Sequence, residues 1–304
     1  MNVSDIIKHL YKVVDVPGLI ICLTGLTLFG IWLIKTSLGR SALADSVPRR
    51  NNMAPYLPFI PLLICFAAVP VAALIVEEQL GYLSDWQQVF LDTAVLCAGT
   101  IAATMVTIFL ARATFARRLK GFGLNIKTIH KDFWVAAVNL LSVWPLVMAM
   151  LILTMYIGQL IWGQDWQMQR HEELETIIAY PQLPLRVLIV FTAGVVAPVF
   201  EEMLFRGMFQ TMIRSFLARS WPVRNELQSR GGSASARTSN EAWLSIVISS
   251  ALFIMVHQNR GHWPALFALS MCMGYAYEKS GSLFRPIFIH SFFNTAMVVA
   301  VLYQ

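Results

Sequence analysis

The chain has 304 residues, of which 57% are hydrophobic and only 13% charged, against about 45–50% and about 25% in soluble globular domains. With a mean hydropathy of +0.61, this composition excludes a soluble enzyme and a disordered chain and leaves a multispanning membrane protein. The formal charge of +6 marks cytoplasmic loops, where Lys and Arg concentrate, and no nucleic-acid partner is expected.

A bilayer core takes about 20 apolar residues of helix. Apolar stretches of about that length fall at residues 18–34, 54–76, 93–111, 133–164, 187–200, 242–259, 261–277 and 286–304. The fold class is therefore all-α, a polytopic transmembrane helix bundle of about eight membrane helices. The alternating pattern of an outer-membrane barrel is absent. In the second span Pro55, Pro58, Pro61 and Pro70 predict a kink or a delayed start. The fifth span is short and runs into charged residues. Ala42-Leu43-Ala44 resembles a cleavage site behind the first span. That span is longer than a signal sequence, however, and Lys35 and Arg40 follow it, so it reads as a retained anchor.

The loops alternate in charge. Segments 35–55, 112–132 and 214–241 are basic, the last through Arg214, Arg219, Arg224, Arg230 and Arg237. The loops around Glu77, Glu78 and Asp85, and around Asp165, Glu172, Glu173 and Glu175, are acidic. This pattern sets the basic loops in the cytoplasm and both termini on the far side. Short loops with so clean an asymmetry point to an integral protein of a bacterial inner (plasma) membrane. Segment 225–241 (NELQSRGGSASARTSNE) is low in complexity and reads as a mobile loop. Cys22, Cys65, Cys97 and Cys272 each stand alone in an apolar run and form neither a disulfide framework nor a thiolate metal motif.

The chemistry concentrates in the last third. Residues 200–207 read FEEMLFRG. Each charge at a bilayer centre costs roughly 2.5–3.5 kcal/mol, so Glu201, Glu202 and Arg206 must be paired, protonated or beside water. Glu202 and Arg206 stand four apart with the acid first, the favourable order for a pair on one helix face. Glu201, about 100° around the helix, is left without a local partner, which is the position of a candidate base. Pro198 is expected to kink the helix just before it. FIMVH at 253–257 ends an apolar helix on His257. HSFFN at 290–294 sets His290 and Asn294 on one face of the last span. His262 and Trp263 read as interfacial residues, and Trp162 and Trp166 as an aromatic belt.

These three segments, EEMLFRG, FIMVH and HSFFN in that order, resemble the motifs of the CAAX-protease and bacteriocin-processing (Abi) family, which includes the type II CAAX prenyl endopeptidases. The resemblance covers residues 185–304 as a catalytic helix core, and residues 1–184 are N-terminal transmembrane helices without a recognised motif. It implies an intramembrane endopeptidase acting on a membrane-embedded or membrane-associated peptide or protein within the lipid bilayer. Glu201 would be the general base and His257 would hold the attacking water. His290 and Asn294 would stabilise the oxyanion, and Glu202 and Arg206 would shape the helix.

No cofactor is required on this reading. The alternative is zinc held by His257, His290 and Glu201, although no H-E-x-x-H motif is present. A proton-coupled transporter, for which intramembrane acids are also the signature, and a non-catalytic bacteriocin-immunity protein are the competing functions.

Overall fold

A computed structural model describes residues 16–163, 165–169, 172–220 and 234–302. Eight long helices organise them. They are α1 (Val16–Lys35), α2 (Phe59–Leu80), α3 (Asp85–Thr114), α4 (Ile129–Trp162), α5 (Leu183–Arg219), α6 (Ala234–Met255), α7 (Trp263–Ser280) and α8 (Phe284–Leu302). No strand is present among the described residues, where the one β-bridge joins Asn51 to Phe115. Helices α1 to α5 and α8 are long and apolar enough to cross a membrane, and α6 carries a shorter apolar stretch over Ser239–Met255. The chain is a multi-pass integral membrane protein of all-α architecture. Its outer surface agrees: Ile34, Leu63, Phe109 and Leu160 are each more than 60% exposed, a pattern that lipid tolerates and water does not.

Helix α4 is the central strut, packed along α1, α7 and α8. Pro145 lies inside it, and α1 crosses it there at Gly25, where a Cβ would collide with the Leu141 carbonyl and the Pro145 ring. The main core gathers Ala103 of α3 and Ala136, Val143 and Val147 of α4 around Phe200, Phe205, Phe253, Leu269 and Phe293 of the C-terminal helices. A short helix, Arg118–Phe122, pushes the Phe122 ring under Gly207 of α5. The carbonyl of Phe122 accepts the Tyr277 hydroxyl at 2.9 Å.

Two readings from sequence are corrected here. Arg214, counted among loop charges, lies on α5 at 2% exposure and donates to Glu241 at 2.7 Å. Segment 225–241 is not loop throughout, because α6 begins at Ala234 and Ser239 and Glu241 are buried. Its first part, which holds Arg230, lies outside the described residues, as does Arg224. At the acidic end Trp162 stacks on Trp166 at 5.6 Å.

Candidate functional site

The site begins with how α5 breaks. A π turn over Thr192–Val196 ends two residues before Pro198, which has no N–H to return to the carbonyls one turn earlier. One of these, Ala193 O, accepts the Asn294 side-chain amide of α8 at 2.8 Å. A second wide turn, Met203–Gln210, follows with every residue buried. Between the two turns stand Glu201 and Glu202 on a short helical segment, Ala197–Glu202.

Glu202 is fully buried. Its Oε1 accepts Arg206 Nη1 at 2.8 Å and His290 Nδ1 at 3.0 Å. Arg206 continues to Ser270, donating to the hydroxyl at 2.7 Å and to the carbonyl at 3.3 Å. Its guanidinium also lies over the Phe253 ring at 4.6 Å. A buried guanidinium so engaged compensates one carboxylate and no more. Glu201 is the one left over. Its side chain is 24% exposed, its Oε2 has no hydrogen-bond partner, and that oxygen lies 3.9 Å from His290 Nε2.

Phe253 is the hub between the two imidazoles. Its centroid lies 4.6 Å from that of His257 and 5.7 Å from that of His290. His257 follows the last turn of α6, and its Nδ1 meets the Phe253 carbonyl at 2.8 Å. A carbonyl only accepts, so Nδ1 carries the proton and Nε2 of the neutral ring is an acceptor. Trp263 Nε1 in turn donates to the His257 carbonyl at 2.9 Å, so the indole read as interfacial pins the end of α6.

Direct contact therefore joins Glu201, Glu202, Arg206 and His290. His257 joins through the Phe253 ring, and Asn294 through the backbone of the broken helix. Among the described residues neither of these last two bonds to Glu201. Among the described residues no three of His, Cys, Asp and Glu gather as a metal-holding group.

Sequence reasoning missed two partners. Ser270 carries no signal of its own on an apolar helix, and the Ala193 carbonyl is invisible in side-chain chemistry. It also missed a stripe that spacing could have shown. Glu202, Arg206, Gln210 and Arg214 recur every fourth residue of α5, and none is more than 2% exposed. On α7 the facing positions Ser270, Gly274 and Glu278 repeat the spacing. Gln210 donates to the Gly274 carbonyl and to Glu278 at 3.2 Å each, and Arg214 Nε lies 3.4 Å from Glu278.

Residues 183–296 match the type II CAAX prenyl endopeptidase Rce1-like family. The matched residues contain all three motifs and every residue of the contact set above. An uncharacterized 24.3 kDa protein of Escherichia coli is 26% identical over 138 residues, covering 44% of this chain and 54% of the relative. The chain spans about half the length of that curated relative. No solved structure gives a significant match.

Proposed function

We propose that the chain is an intramembrane endopeptidase, with Glu201 as the base that activates water. The observation that carries this reading is the inequality of two adjacent carboxylates. Arg206 and His290 both bond one oxygen of Glu202, whose other oxygen is buried without a partner, whereas Glu201 is bonded by neither, is 24% exposed, and holds its unpartnered Oε2 3.9 Å from His290 Nε2. Two carboxylates face one guanidinium, and the one that Arg206 does not bond is the one available as a proton acceptor.

In the reaction, Glu201 takes a proton from water, and the hydroxide attacks the scissile carbonyl. The second amide hydrogen of Asn294 donates to the oxyanion, and His290 does so through Nε2 when its ring carries a proton on both nitrogens, since Nδ1–H is already given to Glu202. Glu201 then returns its proton to the departing amine. His257 Nε2, the acceptor nitrogen, orients the water. The substrate is a peptide bond of a membrane-associated or lipid-modified chain, and the inner membrane of a bacterium is the site of action. No step is routed through a metal.

The test is Glu201→Gln in purified protein, assayed on membrane-anchored peptides with and without a prenyl group. Cleavage falls by about 10²–10⁴-fold, the usual contribution of a general base, with unchanged thermal unfolding. Full activity in a folded Glu201→Gln chain defeats the assignment. Stoichiometric zinc lost together with activity on chelation replaces it with a metallopeptidase.

A further inference from the structure

At the basic end of the bundle, away from the glutamates, a cavity of about 300 Å³ opens between the segment after α1 and the end of α5. Arg49, Arg50, Asn51, Ser215 and Arg219 line it, and no acidic residue does. The side chains of Arg50 and Arg219 are exposed and make no ion pair or hydrogen bond with any described residue. Arg49 is held in place without being neutralised. Its guanidinium lies 3.9 Å over the Tyr277 ring and donates to the carbonyls of Tyr277 and Gly281.

The floor is equally fixed. Asn51 donates to the Arg49 carbonyl and to Ser215 Oγ, both at 3.0 Å, and the Arg50 carbonyl accepts Ala116 N–H at 3.1 Å. Positive loops orient a membrane protein with their charges anywhere along the loop, so orientation alone does not require three arginines lining one hollow. Guanidinium forks match the oxygens of a phosphate. Apolar surface adjoins the lining residues in sequence: Val47, next to Pro48, is 81% exposed and Phe216, next to Ser215, is 64% exposed, which offers acyl chains a place near the charges.

We propose that this hollow binds the phosphate of an anionic phospholipid headgroup, with Arg50 and Arg219 closing on it and Arg49 as the fixed wall. Anionic lipids are enriched at the membrane face that basic segments adopt. The site is independent of the peptidase reading, because none of its residues touches Glu201 or His290.

The test is native mass spectrometry of the full-length chain in detergent, titrated with phosphatidylglycerol, with phosphatidylcholine, or with inorganic phosphate. Wild type is expected to retain one phosphatidylglycerol at least tenfold more tightly than the Arg50→Gln/Arg219→Gln double variant, as the loss of two charge-assisted contacts implies. Phosphatidylcholine should bind both alike, and millimolar inorganic phosphate should displace nothing. The Arg50→Lys/Arg219→Lys variant keeps the charge that orients the chain and should recover part of the lost affinity. Equal phosphatidylglycerol binding by wild type and the Gln variant overturns the proposal, as does a folded Lys variant with no recovery. Displacement by inorganic phosphate overturns the lipid source and leaves a soluble-phosphate site.

Discussion

In α2 a π turn over Ile64–Ala68 ends two residues before Pro70, and in α5 a π turn over Thr192–Val196 ends two residues before Pro198. The wide turns close alike, Val69 N–H to Ile64 O and Ala197 N–H to Thr192 O. Each proline then leaves the carbonyl five residues back without a helical donor: Cys65 in α2, Ala193 in α5. There the likeness stops. Asn294 takes the Ala193 carbonyl, and two carboxylates follow on the next turn. Among the described residues no side chain bonds to the Cys65 carbonyl, and the residues that follow it, Val71 and Leu74, are 55% and 66% exposed on the apolar surface. One helix bends, whereas the other bends and is answered by a neighbour. A break in a membrane helix becomes a chemical site only when a second helix supplies the missing partner.

Making α5 more like α2 is the way to break this comparison. The largest effect is expected from Arg206→Met, which leaves the Glu202 charge half-compensated. Removing one partner of a buried pair costs about 3–5 kcal/mol, and thermal unfolding in detergent should drop accordingly. Gly207→Ala drives a methyl into the Phe122 ring, and such overpacking costs about 1–3 kcal/mol. A smaller residue at position 122 should recover part of that loss in the same melt.

Asn294→Leu strips the Ala193 carbonyl of its donor, so that α5 resembles α2 in this respect. An unsatisfied buried acceptor costs about 1–3 kcal/mol, and cleavage should fall further than stability alone explains. The smallest stability effects sharpen the contrast. Pro198→Ala and Pro70→Ala each restore one N–H and should each shift stability by about 1 kcal/mol or less. Only Pro198→Ala should slow cleavage, since its new N–H competes with Asn294. Equal activity in the two proline variants removes the functional distinction between the bends.

The bundle was legible because lipid requires long apolar runs: the eight expected runs fall mostly in helices, of which six are long and apolar enough to cross a membrane. The pairing of Glu202 with Arg206 was legible for a similarly local reason, since four-residue spacing fixes who meets whom on a helix. What failed depended on partners distant in sequence. Arg214 looked like a loop charge because its counter-charges, Glu241 and Glu278, lie 27 and 64 residues away. The stretch from Ala234 looked unstructured by composition, yet Ser239 donates to the Arg40 carbonyl and Trp243 Nε1 to that of Gly39, contacts that composition does not encode. Residues 1–184 carry no motif, but Ala103, Val143 and Val147 pack directly against the site helices.

The buried stripe on α5 has a bearing on how the chain is made. Turning that helix by a single residue, about 100°, would sweep Glu202, Arg206, Gln210 and Arg214 together out of the groove of α7 and into hydrocarbon. The fifth pass therefore has one tolerable azimuth, and it is defined by a segment synthesised some sixty residues later. Until α7 emerges from the ribosome, α5 has no groove to receive these side chains, so the order of synthesis leaves α5 among the last helices to settle.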